Sequence, residues 1–183
     1  MAHFHQQVFC LRAMYSHPEA FVERKVLDIG SLDINGNNRF LFRDCDYTGL
    51  DVAPGRNVDV VGVAHLFDAP DESFDTIIST EVFEHDMYYP QTVRNVMRML
   101  RPGGAFVFTC AGPGRPEHGT PRSDGSFAAP LLVQVDPAWS HYYRNLTQED
   151  FLQIEGFREC FTRGHFETNT EVFDLYFMGF KRS

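Results

Sequence analysis

Val26-Leu27-Asp28-Ile29-Gly30-Ser31-Leu32-Asp33-Ile34-Asn35-Gly36 is the stretch on which the fold turns. Four residues suited to a buried strand run directly into a glycine. A small polar loop follows, and Asn37 to Arg43 reads as a helix. In α/β sheets a strand that ends this way delivers ligand to its carboxyl edge. Gly30 stands where the backbone must turn sharply and let a ligand approach, and a Cβ would obstruct both.

Upstream, Phe4, Val8, Leu11 and Tyr15 recur at helical spacing, and Pro18-Glu19-Ala20 starts a second short helix with proline in its first turn. Strands are predicted over Lys25–Ile29, Tyr47–Asp51, Val58–Gly62, Phe74–Thr80 and Ala105–Cys110. The fourth is apolar without interruption in its middle, as a strand covered on both faces should be. Only Val52 to Asn57 separate the second strand from the third, room for barely one helical turn. Val93, Val96, Met97 and Leu100 share a helical face that stops at Arg101-Pro102-Gly103-Gly104. Residues 111–138 form a long Gly-, Pro- and Ser-rich loop, and loops of that length tend to be functional or disordered. Thr147-Gln148-Glu149-Asp150 has a capping-box pattern and opens a helix that Gly156 ends. Two last strands, Phe157–Glu167 and Glu171–Lys181, join in a hairpin at Thr168-Asn169-Thr170.

A chain of 183 residues with 43% hydrophobic and 22% charged residues is expected to fold as one soluble domain. The expected parts are an N-terminal helical segment (1–24), a ligand-binding core (25–110), an acceptor loop region (111–146) and a C-terminal helix and hairpin (147–183). No apolar run approaches the roughly 18 to 20 residues that span a bilayer, so no membrane partner is expected. Met1 to Gln6 lack a basic segment with an apolar one behind it, so no secretion signal is expected. Cys10, Cys45, Cys110 and Cys160 are scattered, which suits a reducing cytoplasm. A net charge of −9 argues against a nucleic-acid substrate, whose phosphates need Lys and Arg.

Asp51 closes the second strand 21 residues after Gly30, where a carboxylate can accept hydrogen bonds from both hydroxyls of a ribose. NAD and S-adenosylmethionine both carry such a ribose. The dinucleotide fingerprint would place glycines at 32 and 35, where Leu32 and Asn35 stand. Those glycines let the backbone press on a pyrophosphate, which S-adenosylmethionine does not have. Its amino-acid end and sulfonium cation suit acidic surroundings such as Asp28. The plainer alternative is that Asp28 and Asp51 only cap turns.

Taken in order, these residues resemble the landmarks of class I S-adenosylmethionine-dependent methyltransferases. Val26-Leu27-Asp28-Ile29-Gly30 resembles their motif I, and Gly49-Leu50-Asp51 their acidic strand-2 motif. Asp71-Glu72-Ser73-Phe74-Asp75, Glu84-His85 and Leu100-Arg101-Pro102-Gly103-Gly104 resemble the remainder, in the right order and spacing. The resemblance is close over residues 25–110 and implies a Rossmann-like α/β fold: a seven-stranded, mostly parallel sheet with helices on both faces and a reversed last strand. It also implies cofactor held by Asp28, Gly30, Ser31 and Asp51, with Ala64 and His65 by the adenine and Thr80 and Glu81 at the fourth strand's edge. The chain departs from the pattern at Leu32, where motif I usually has a second glycine, and at Val63-Ala64-His65, where Asp-Ala is frequent.

Methyl transfer is an in-line displacement whose main demand is alignment of nucleophile, methyl and sulfur. A hydroxyl or amine acceptor also sheds a proton, which favours a nearby base. His85, His118 and His141 are candidates; the alternatives are packing at a helix start for His85 and ordinary exposure for the other two. Trp139, Tyr142, Tyr143 and Arg144 can form an acceptor pocket of stacking rings and an anion partner, or simply a hydrophobic cluster closing the sheet. The histidines and Glu81 and Glu84 lack His-x-x-x-His spacing, so no metal is expected. Cys110 reads as a packed strand residue, not a nucleophile. The expected activity is methyl transfer from S-adenosylmethionine to an oxygen or nitrogen of a small acceptor, such as a sugar or metabolite. A non-catalytic module of a larger assembly and an NAD(P)-dependent oxidoreductase are the alternatives.

Overall fold

The computed structural model describes residues 3–123 and 135–183. Helix α1 (Phe4–Ser16) and a 3₁₀ turn (Pro18–Ala20) lead into strands β1 (Lys25–Ile29), β2 (Asp46–Asp51), β3 (Val60–Val61) and β4 (Phe74–Thr80). Helix α2 (Tyr89–Met99) runs directly into β5 (Leu100–Ala111). After the loop come short helices α3 (Gln148–Leu152) and α4 (Phe157–Cys160), then β6 (His165–Asn169) and β7 (Asp174–Phe180). The seven strands form one sheet in the order β3-β2-β1-β4-β5-β7-β6. Strands β1 to β5 are parallel; β7 runs antiparallel to β5, and β6 antiparallel to β7.

The two-residue period of a strand divides the core into two layers. Leu27, Ile29, Ile77, Phe106, Phe108 and Phe177 face α2, α3 and α4, where they meet Val93, Val96, Phe151 and Phe157. Val26, Ile78, Val107 and Tyr176 face α1 and meet Phe9, Cys10 and Ala13. The first layer is dominated by stacked phenylalanines: Phe108 lies 4.4 Å from Phe151 and 5.1 Å from Phe177, centroid to centroid. Ring pairs at such spacing add to plain area burial. No helix among the described residues is long and apolar enough to cross a membrane.

Several expectations are corrected. The helix opened at Thr147 ends at Leu152, and Gly156, at φ +81°, stands at the start of α4. The hairpin turns at 170–173, beyond Thr168 and Asn169, which still pair with β7. Asn37–Arg43 is not a helix; only Arg39–Leu41 makes a 3₁₀ turn. Side chains outcompete the helical ladder there: Asp33 accepts from the Gly36 N–H and the Asn37 amide, and Asn37 accepts from the Arg39 N–H. The third strand is shorter than Val58–Gly62, because only Leu50 and Asp51 offer it partners. The fifth begins at Leu100 rather than Ala105, since Leu100 pairs with Phe74 and the register then shifts before Thr76. Phe157–Glu167 is not one strand: Phe157 and Phe161, four apart, enter the core from a single helical turn before β6 starts.

Strand β1 lies between β2 and β4, and the chain moves from β1 to β2 and β3 on one side before crossing to β4 on the other. A crevice forms at the carboxyl ends of strands where the order reverses in this way.

Candidate active site

A cleft opens at that crevice. Asp28, Gly30, Ser31, Asp51, Ala64, Thr80 and Glu81 all line it, as do Leu32, Ile34, Asn38, Leu50 and Val52. Of the residues expected around a cofactor only His65 stands off its wall; the His65 ring packs on Tyr88 at 4.4 Å and Trp139 at 5.8 Å.

Gly30 has φ +78°, and a Cβ there would lie 2.1 Å from Val82 Cγ2. Its N–H and that of Ser31 both donate to the Leu50 carbonyl, at 2.9 and 3.1 Å, which seals the β1–β2 end. Leu32, in place of a motif-I glycine, turns its side chain onto the short β2–β3 link: Leu32 Cδ1 lies 2.2 Å from where a Cβ on Gly55 would sit. Its backbone N–H donates to Asp51 Oδ2 at 2.9 Å. Burial lifts the Asp51 carboxyl above its ordinary pKa although backbone N–H groups pull it back. Asp28, buried beneath, accepts from the Tyr47 hydroxyl at 2.5 Å, and burial pushes its pKa up to about 7. The Ser31 hydroxyl is buried with no partner among the described residues, a polar group free for a ligand.

Helix α1 reaches the same wall. Thr80 Oγ1 accepts from Asn38 Nδ2 at 3.1 Å, and Asn38 Oδ1 accepts from Gln6 Nε2 at 3.2 Å. Glu81 is held in the left-handed region at φ +57°. Its Oε1 accepts from the Thr109 hydroxyl at 2.8 Å, and its Oε2 lies 3.6 Å from His3 Nε2. His3 also meets Asp174 at 2.9 Å, and Arg115 meets Asp174 at 2.8 Å. Burial works against the Glu81 charge, but His3 holds the carboxyl well below the usual range. Burial likewise opposes charge on His3, yet Asp174 and Glu81 raise its pKa to about 9.

Two of these shifts share a sign in linkage. His3 is raised from 6.5 in the unfolded chain, so its contribution is full below that pH and is lost as pH climbs through about 9. Asp28 is raised from 3.8 to about 7; the unfolded chain gives up that proton first, so stability also falls with rising pH between those values. Below pH 6.5 the depressed His85 works the other way, because the unfolded chain holds that proton more tightly. Thermal melts are therefore expected to drop from pH 7 to pH 9, with His3→Gln flattening the fall. A profile that rises over this range would contradict the His3 assignment.

At the other end of the cleft His85, His118 and Trp139 line the wall. The His85 and His118 rings meet edge to face at 5.3 Å, and Tyr143 lies 5.4 Å from His85 and 5.1 Å from His118. Trp139 Nε1 donates to the His85 carbonyl at 2.6 Å. Burial and the neighbouring His118 depress the His85 pKa to about 3, so the ring is neutral at ordinary pH and a weak base. His141, Tyr142, Tyr143 and Arg144 do not line the cleft. His141 is exposed; Arg144 is paired with Asp150, the capping-box residue of α3, while its N–H donates to the Glu84 carbonyl at 2.9 Å. Residues 124–134 of the expected acceptor loop lie outside the described residues.

Asn38, Asp86 and Gly119 line the cleft although the sequence pattern does not single them out. Asn38 sits where a helix was expected, and nothing in its neighbours signals a buried amide. Asp86 follows the Glu84-His85 landmark, and that proximity was the one available signal.

Residues 27–108 match the family described as a methyltransferase domain. A 46-residue stretch is 44% identical to malonyl-[acyl-carrier protein] O-methyltransferase of Paenibacillus sp. (strain JDR-2), over 25% of this chain and 17% of that enzyme. The fold is similar to Haemonchus contortus phosphoethanolamine N-methyltransferase 2, solved with phosphomonomethylethanolamine and S-adenosylhomocysteine. That match has a TM-score of 0.67 at 17% identity and covers 94% of this chain, which spans 52% of that one. It is similar also to Burkholderia thailandensis 1,6-didemethyltoxoflavin-N1-methyltransferase, with a TM-score of 0.62 at 14% identity, covering 100% of this chain and 92% of that one. These matches give the chain the fold of the methyltransferase structures, and the methyltransferase-domain match itself takes in residues 27–108, less than half of the 183.

Proposed function

We propose that this chain transfers a methyl group from S-adenosylmethionine to an oxygen or nitrogen of a small acceptor, a sugar or another metabolite. The observation that carries this reading is the single cleft wall shared by Asp28, Asp51 and Glu81 with Ile34, Leu50 and Val52. Carboxylates suit a ligand that carries an ammonium, a sulfonium and two ribose hydroxyls, and the apolar side chains suit a purine face. When bound, S-adenosylmethionine supplies an electrophilic methyl on a good leaving group. The chain's part is positional. Asp51 receives the ribose, the Gly30–Ser31 turn receives the amino-acid end, and the buried Ser31 hydroxyl gains a partner. Ala64 borders the adenine, and Thr80 and Glu81 border the sulfur. Trp139, His85 and His118 bound the acceptor. Leu32, resting on Gly55, lines the same cleft as an apolar wall.

Titration calorimetry with S-adenosylmethionine, S-adenosylhomocysteine and NAD tests this reading. Heat is expected with the first two and none with NAD. Silence with all three would leave a non-catalytic module, and heat with NAD alone an oxidoreductase.

A further inference from the structure

Glu84, His85 and His118 each bring a ligand-type atom to one point beside the acceptor end of the cleft, all within 4.8 Å of one another. Glu84 is fully buried, and neither of its carboxylate oxygens has a hydrogen-bond partner among the described residues. A bare carboxylate does not persist in a protein interior; it takes up a proton or stands against a cation. The one cationic-type group within 4 Å of it among the described residues is His118, whose Nε2 lies 3.8 Å from Oε1, too far for a hydrogen bond.

His118 Nδ1 lies 3.1 Å from the Pro116 carbonyl, which can only accept, and 3.2 Å from the Tyr143 hydroxyl. With its proton on Nδ1 toward that carbonyl, the ring offers Nε2 as a lone pair beside Glu84. His85 Nδ1 is buried and also has no partner among the described residues. Two imidazoles and a carboxylate therefore converge, with no hydrogen bond to either carboxylate oxygen among the described residues. An imidazole whose other nitrogen donates to a carbonyl is also how metal-binding histidines are oriented.

We propose that Glu84, His85 and His118 bind a divalent transition-metal ion of the Zn²⁺, Fe²⁺ or Mn²⁺ kind, with its open positions toward the cleft. Two imidazoles and one carboxylate suit such ions and leave room for further ligands. Bonds of about 2.0–2.2 Å set ligand atoms roughly 3.5 Å apart, so the site closes with about an ångström of side-chain rotation. Sequence spacing concealed it: Glu84 and His85 are adjacent, and His118 follows 33 residues later on another loop. His85 and His118 line the cleft, so the ion's free positions meet the acceptor. The consequence for chemistry rests on the methyl-transfer reading. The acceptor is then a hydroxyl, whose oxygen the ion binds and whose proton passes to water. The oxygen's electron pair forms the new bond to the methyl carbon as the carbon–sulfur bond breaks. The carbon–sulfur bonding pair stays on sulfur, which leaves as S-adenosylhomocysteine.

The metal-stripped protein is titrated with Zn²⁺ and Mn²⁺ by calorimetry and with Co²⁺ by visible absorption. One equivalent is expected to bind. Glu84→Gln and His118→Ala are each expected to weaken binding by about 100-fold or more. His17→Ala, at a histidine outside the cleft, is expected to bind as wild type. Titration of the same preparations with S-adenosylmethionine reports on the methyltransferase reading separately. His118 is partly exposed, so His118→Ala remains informative if Glu84→Gln does not fold. Absence of saturable binding, or affinity unchanged in both variants, would show that Glu84 is a neutral, protonated acid and no ligand. Cofactor heat without metal heat sinks the metal site alone; metal heat without cofactor heat sinks the methyl-transfer reading alone.

Discussion

The substitution Asp51→Ala is expected to weaken S-adenosylmethionine binding by about 100-fold. The wild-type carboxylate lines the cleft at the end of β2 while the Leu32 N–H holds its Oδ2 at 2.9 Å. That backbone bond fixes the direction of the carboxylate before any ligand arrives, so little ordering is left to do on binding. Two ribose hydroxyls donating to a charged group contribute about 1.5 to 3 kcal/mol each, and the lower end of their sum is already two decades of affinity. Asp51→Asn keeps one acceptor in a side chain of the same shape and should lose about tenfold. Calorimetry on both variants decides the matter. Affinity equal to wild type in Asp51→Ala would mean that the ribose lies elsewhere.

The second large effect is expected at Gly49. A Cβ there would stand 2.1 Å from the Asn57 carbonyl oxygen and 2.8 Å from Ser31 Oγ. The first of these atoms is backbone and cannot rotate away. It belongs to a tightly tied link: Asn57 Nδ2 donates to the Ser31 carbonyl at 2.9 Å, and the Asp59 N–H donates to the Gly49 carbonyl at 2.8 Å. Gly49→Ala must therefore displace the whole β2–β3 connection. We expect a loss of about 3 kcal/mol, within the range for overpacked sites. That corresponds to a fall in Tm of about 6 to 12 °C for a chain this long. Cofactor affinity should fall with it, because the same link carries Gly55, on which Leu32 rests. Gly62→Ala is the control, since its Cβ would meet only Leu50 Cδ1 at an ordinary 3.5 Å. Equal melting of the two variants, followed by circular dichroism, would refute the steric account.

Much of this frame was legible in the order of residues. Strands β1 and β4 stand at their expected limits because apolar runs bounded by turn residues carry their own boundaries. Thr147 and Asp150 cap α3 reciprocally, a bond between residues three apart. Residues 37–43 failed as a helix for an equally local reason, but one that hydrophobic period does not register: Asp33 and Asn37 bind the backbone instead.

By itself, then, the sequence determined strands β1 and β4, the glycine turn at the sheet's edge and the acidic residue at position 51 that closes β2, all features set by neighbours along the chain. Only the tertiary structure decided where Leu32 would lie and that Asn38 would be buried against Thr80 and Gln6. It also decided that His118 would meet Glu84 and His85 while His141 and Arg144 would not line the cleft. Those outcomes depend on contacts between segments tens of residues apart, which packing settles and local pattern does not encode.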